Sequence, residues 1–300
     1  MDLEIEKILS NITLKEFEDR FKLFENNQAQ NNTACTAEAI IETIMIEHNG
    51  LKFSAFKSEE REYKKDAILY RVRKLEPEKI ELTHDDFWEA PEKYVDYGRL
   101  NQPEQQLLYV AANNPMTAIK EVGIREGDYF LLTCYKVINS LKVFGIGVGN
   151  DFECKLSKES KSKLDALTDF IDRNFLKDTK SAYLVSSVIA NSICDFGRDG
   201  WFYPSVAHQN GLNLCLKLSA KSNLEIHSSY ICQLNDGEIS NRFAITVGND
   251  INIHHDWQSK SSKANKILES LFEHNRLHNE LNKNEQPKVI KDIGYPIKFV

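Results

Sequence analysis

An α+β fold is predicted, on three observations. Helical and strand-like segments follow one another without regular βαβ alternation. The first 60 residues carry helical apolar spacing, whereas the middle of the chain carries short apolar runs bounded by Gly and Pro. Hydrophobic residues make up 41% and charged residues 28% of the 300. That is an ordinary globular composition, with enough apolar material to bury a core without disulfide or metal staples.

In chain order, Leu14, Phe17, Phe21 and Phe24 fall at helical spacing. Ala37, Ile40, Ile41, Ile44 and Met45 form a second stripe after Thr36, a candidate N-cap. The charged stretch 57–66 reads as a solvated linker. Ala67–Val72 reads as a buried strand, 84–106 as loop and Leu107–Ala112 as a second strand. Pro115–Val122 is a predicted helix, with Asn114 as its cap and Pro115 in its first turn. Strands are predicted at Tyr129–Ile138 and Val143–Val148, and helices at 157–175 and Ala182–Phe196, the latter ended by Gly197. Short strands follow at Trp201–Tyr203, Leu212–Leu218, Leu224–Cys232, Arg242–Val247 and Ile251–His254. An amphipathic helix is expected near Lys263–Leu281. The expected division is a helical N-terminal extension (1–60), a central domain (61–220) and a strand/helix extension (221–300) packed on the core.

Charge narrows the function. A net charge of −7 argues against a nucleic-acid partner, which requires a basic surface, but leaves room for a small anionic ligand. The six cysteines form no CxxC pair, so zinc ribbons and thioredoxin-like motifs are not expected; reduced, buried thiols are. The start MDLEIEKILS lacks the basic n-region of a signal peptide, and no apolar run approaches the ~20 residues that span a bilayer. A soluble, cytoplasmic protein without membrane contact is expected. His254, His255 and Asp256 are adjacent, and adjacent strand residues point to opposite faces, so no metal site is expected there.

Four pieces carry chemistry. LYRVR places Arg71 and Arg73 two apart on a strand, hence on one face, which is costly to bury without an anion. YGRLN places Arg99 and Asn101 in a loop after Gly98. LLYVAANNPMTAIKEV places Tyr109 on a strand and Glu121 on the next helix. GRDGWFYPSVAHQNGLN places Ser205 past a short strand, with Gly211 and Asn213 beyond. Singly each is weak: surface arginines are usually solvated, strand tyrosines usually core, and helix glutamates usually solvent-facing.

Together, from about Leu69 to Leu218, they resemble the RES-domain family, bacterial proteins named for Arg, Glu and Ser and often toxins paired with an antitoxin. The family's first-strand Arg falls on Arg71, its GR-x-N loop on Gly98, Arg99 and Asn101, and its strand Tyr on Tyr109. Its TA-x-x-E helix falls on Thr117, Ala118 and Glu121. Its DG…YPS…G-x-N segment falls on Asp199, Gly200, Tyr203, Pro204, Ser205, Gly211 and Asn213. One departure is visible: the family often has a Gly shortly after GR-x-N, where this chain reads QPEQQ.

The resemblance implies an ADP-ribosyltransferase-like mixed-sheet core and degradation of NAD by hydrolysis or phosphorolysis. NAD is then the substrate and inorganic phosphate a candidate co-substrate, with no cofactor, and an antitoxin protein is the expected partner of a paired toxin. Two alternatives stay open: transfer of ADP-ribose to a protein, and an inactive RES-like module that binds a nucleotide or partner. The chemistry of the residues agrees with NAD cleavage. Nicotinamide in NAD is a cationic leaving group that needs no general acid. A carboxylate stabilises the oxocarbenium-like ribose, which suits Glu121. Guanidinium groups match pyrophosphate, which suits Arg71 and Arg99. Tyr109 is expected to orient the ribose, while Arg73, Asn101, Ser205 and Asn213 complete the binding set. Ser205 is not read as a nucleophile, because no His stands at a recognisable triad position.

Overall fold

The computed structural model describes residues 2–29, 37–54, 59–76, 82–112, 114–146, 156–175, 180–195, 197–254 and 294–295. Three helices open the chain: α1 (Asp2–Leu9), α2 (Leu14–Ala29) and α3 (Ala37–Ile44). A capping box starts α2. The Glu16 amide donates to Thr13 Oγ1 (3.2 Å), and the Thr13 amide donates to the Glu16 carboxylate (2.7 Å). Phe17, Phe21 and Phe24 are buried, as their spacing predicts. The helix of the second stripe ends at Ile44, and Met45 just beyond it packs on the same core. Ile46–His48 (β1) turns back on Leu51–Phe53 (β2) through Asn49 and Gly50, both at positive φ, the signature of a tight hairpin turn.

The remaining strands form one large sheet. They are β3 (Glu60–Tyr63), β4 (Ile68–Lys74), β5 (Leu107–Ala112), β6 (Tyr129–Val137), β7 (Leu141–Gly145), β8 (Gly200–Pro204), β9 (Leu212–Lys217), β10 (Leu224–Asn235), β11 (Glu238–Val247), β12 (Ile251–His254) and β13 (Gly294–Tyr295). Their order is β12-β11-β10-β6-β4-β5-β9-β8-β7-β3-β13, antiparallel except for the parallel β7–β8 pair, so the sheet is mixed. The helices α4 (Pro115–Val122), α5 (Lys158–Phe175) and α6 (Lys180–Val188) are inserted between strands; a π-turn at Ile189–Ile193 prolongs α6. The α+β expectation holds.

Part of the expected linker is strand β3. Its sequence EREY has no apolar run, yet it pairs with β7, and only Tyr63 is buried. Arg61 survives there because its guanidinium stacks on the Phe202 ring (4.4 Å) and pairs with Glu59. Tertiary pairing overrides a polar composition. The expected helix at 263–281, the cap Thr36, and Cys35, Cys154, Val148 and Phe196 lie outside the described residues.

The two faces of the sheet are covered differently. On one, Phe17, Phe21, Ile40, Phe170, Val185 and Ile189 from the helices pack with Trp201, Tyr203 and Cys215. Beside them α4 lays Ala118 and Ile119 on Tyr70, Val72 and Ala111. On the other, a 3₁₀ turn (His84–Phe87) seats Phe87 against Leu131, Ile231 and Ile245.

The sheet is thin at one seam. β4 pairs with β6 from Ile68 to Lys74 but with β5 only at Leu69–Ala112 and Tyr70–Ala111. β5 then follows β9 along its whole length. Past Tyr70 the sheet therefore splits.

Backbone approach is closest where β8 meets β9. A Cβ on Gly200 would lie 2.1 Å from the Cys215 carbonyl oxygen and 2.9 Å from Leu216 Cα. Gly200→Ala is expected to lower stability by about 1–3 kcal/mol. A fall in the urea midpoint at unchanged slope checks this.

Candidate functional site

The site is built where α4 meets the end of β8 and the start of β9. Asn114 caps α4, its side chain accepting from the Met116 amide (2.8 Å). Pro115 occupies the first turn, and Gly123 (φ 71°) ends the helix. Thr117 and Glu121 are four apart and share one helix face. That face looks onto the turn after β8. Thr117 Oγ1 and His208 Nδ1 are 2.8 Å apart. Glu121 Oε1 accepts from Ser205 Oγ (2.5 Å) and Asn213 Nδ2 (2.7 Å). The spacing of TA-x-x-E thus becomes two adjacent contacts.

The turn from Ser205 to Gly211 is pinned at both ends. The Ser205 amide donates to the Gly211 carbonyl (2.8 Å), and the Gly211 amide to the His208 carbonyl (2.9 Å). Gly211 cannot carry a side chain, since a Cβ would sit 2.8 Å from both Thr117 Cγ2 and Oγ1. Asn213 lies in register between Tyr203 on β8 and Ala111 on β5, and is buried. Ser205 Oγ donates to Glu121 and accepts from the backbone amide of His208 (2.9 Å). The His208 ring turns to Thr117 instead, so Ser205 and His208 are not arranged as nucleophile and base.

The GR-x-N loop is tied from below. Tyr109 Oη donates to Asn101 Oδ1 (2.8 Å) and accepts from the Leu100 amide (3.2 Å). Asn101, itself buried, donates to the carbonyls of Asp96 (2.7 Å) and Gln102 (3.0 Å). A Cβ on Gly98 would fall 2.2 Å from Asn101 Oδ1, which accounts for the glycine. Tyr109 and Asn101 therefore hold the loop. Arg99 in this loop is half-buried, its guanidinium 5.7 Å from the Tyr183 ring centre and 5.8 Å from that of Tyr203.

Electrostatics link these pieces. Burial pushes the Tyr203 phenol well above its usual range; Cys215 and Glu121 add to the rise, and Arg99 opposes it. Burial does the same to Tyr109, so both phenols stay protonated donors. One cluster emerges: Glu121, Ser205, Asn213, Tyr203 and Arg99.

Arg71 and Arg73 stand apart from it. Strand alternation puts Leu69, Arg71 and Arg73 on the face opposite the one that packs on α4. Arg71 Nη1 crosses the split to donate to the Tyr109 carbonyl (3.2 Å). Burial pulls its pKa down, although a guanidinium stays charged. Its buried Nε has no hydrogen-bond partner among the described residues. Arg73 pairs with Asp86 (2.6 Å) and is exposed.

Two contributors carried no readable signal of their own in sequence: Tyr183, and Asn191, whose Nδ2 donates to the Leu100 carbonyl. They sit on elements whose approach to the Arg99 loop is decided by packing. Cys134, Cys194, Cys215 and Cys232 are free and buried. No group of three His, Cys, Asp or Glu among the described residues is placed to hold a metal. His254 Nε2 lies 2.9 Å from Thr246 Oγ1; His255 and Asp256 are outside the described residues. No helix among the described residues is long and apolar enough to cross a membrane.

The family model of the RES domain matches residues 68–226, just over half of the chain. The chain belongs to the RES-domain family, and at family level it is an NAD-related, toxin-like enzyme module. Neither the curated proteins nor the solved structures compared with it match.

The pinned turn is expected to respond to pH through His208. Burial, then Lys120, lowers the His208 pKa below its usual 6.5. A histidine with a depressed folded-state pKa contributes stability that is present above the unfolded value. That contribution is lost as pH falls from 6.5 through the folded-state value. The His208 ring protons should therefore titrate below 6.5 by NMR. Between pH 8 and 5, wild type should lose more stability than His208→Gln.

Proposed function

We propose that this protein cleaves the bond between nicotinamide and ribose in NAD, with Glu121 as the catalytic carboxylate. The supporting observation is the grip on Glu121. Ser205 and Asn213 both donate to Oε1, while the residue itself is exposed. Two donors on one oxygen fix the carboxylate's orientation. Among the described residues Oε2 accepts no hydrogen bond, so it is the oxygen offered to a ligand.

The chemistry needs little else. The C–N bond breaks and its electron pair leaves with nicotinamide, which departs neutral. The positive charge moves to the ribose, where a fixed carboxylate stabilises it. An acceptor then bonds to the anomeric carbon; if the acceptor is water, it releases a proton. Arg99, on the Glu121 side of the sheet, is the pyrophosphate contact in this reading. Its guanidinium offers paired donors to phosphate oxygens. Arg71 instead grips the Tyr109 carbonyl and ties β4 to β5 beyond their last pair. The two arginines that look equivalent in sequence thereby take different roles.

Purified protein incubated with NAD should release nicotinamide, and Glu121→Gln should lower kcat by about 10²–10³. A variant as fast as wild type would sink the assignment. Mass analysis with and without phosphate identifies the acceptor, since ADP-ribose, its 1″-phosphate and modified protein differ in mass.

A further inference from the structure

The QPEQQ stretch departs from the family pattern, and the structure shows what it does. The Gln102 amide donates to Gln105 Oε1 (2.9 Å). Gln105 Nε2 donates to Asn191 Oδ1 (2.8 Å). Asn191 Nδ2 donates in turn to the carbonyls of Leu100 and Ser187, each at 2.8 Å. The direction of this relay is determined at both ends. A backbone N–H can only donate and a backbone carbonyl can only accept, so both amide orientations follow.

The relay brackets Arg99. Leu100 donates its amide to Tyr109 Oη on one side and accepts at its carbonyl from Asn191 on the other. Asn191 lies in the π-turn Ile189–Ile193, a wider turn than the α-helix before it and a kind found frequently at functional sites. Tyr183, on the same helical segment, faces the Arg99 guanidinium. One segment thus contacts both the backbone and the side-chain end of the loop.

We propose that Asn191 and Gln105 form a latch that positions Arg99 for its anionic ligand. Neither is a catalytic residue; both act through Arg99. The ligand assignment rests on the NAD reading above, whereas the latch itself does not.

Two measurements separate the two. Amide hydrogen exchange without nucleotide reads the latch directly. Asn191→Leu and, as a milder change, Gln105→Ala should each speed exchange at 98–105 by about tenfold or more, the equivalent of one lost buried hydrogen bond. Amides of α4 should keep their protection. Unchanged exchange in the loop overturns the latch, whatever the protein does to NAD. Steady-state kinetics with NAD reads its purpose. Each variant should raise KM by about tenfold at nearly constant kcat. In an Arg99→Ala background, Asn191→Leu should have no further effect on KM. A fall in kcat at constant KM, or full additivity with Arg99→Ala, overturns positioning through Arg99. Wild type that leaves NAD intact, with the exchange result as expected, overturns the NAD assignment and the ligand role while the latch stands.

Discussion

β5 keeps company with β4 for two residue pairs and with β9 for six. Most of the site follows from that asymmetry. Where β5 departs, the sheet opens and the charge of Arg71 fills the gap, tied to the Tyr109 carbonyl across it. Because β5 stays with β9, and β9 with β8, Tyr109, Asn213 and Tyr203 project from one face in adjacent rows. α4 begins three residues after the last β5 pair and folds back over this face, which brings Glu121 onto Asn213. A shift of one residue in the β5–β9 register would turn Tyr109 and Asn213 to opposite faces and dissolve the arrangement.

The site is polar and is stabilised by satisfied hydrogen bonds rather than by apolar burial. Asn101 and Asn213 are buried, and each has its amide engaged. A buried amide left unpaired costs about 1–3 kcal/mol, so such groups persist where every partner is present. The two glycines at the site serve the same end. Gly98 and Gly211 each admit a neighbouring polar side chain to a position a Cβ would occupy. The motif letters of the family are thus mostly internal contacts. Glu121 is exposed, and Arg99 lies half-buried beside Tyr183 and Tyr203.

Much of the architecture was legible in the linear chain, and the exceptions have physical causes. Apolar periodicity located α2, and cap chemistry located α4 from Asn114 to Gly123, because both are local effects. The β10 and β11 strands run further than the predicted Leu224–Cys232 and Arg242–Val247, up to a turn at Asp236 and Gly237, both at positive φ. β3 was not legible, since its pairing with β7 supplies what its composition lacks. The π-turn ending α6 was equally hidden, and its Asn191 bonds to the carbonyl of the distant Leu100.

The sequence by itself determined the α+β class, the family and the set of residues from which a site is made. Residue types and short spacings carry that information, as with Thr117 and Glu121 on one helix face. Only the tertiary structure decided how the set divides. It joined Glu121 to Ser205 and Asn213, placed Arg99 between Tyr183 and Tyr203, and put Arg71 on the other side of its strand. It also turned Tyr109 and Asn101 inward and gave Gln105 a partner in Asn191. Which face a strand residue takes and which loop a helix end meets depend on pairings between segments far apart in the chain. No local spacing encodes them.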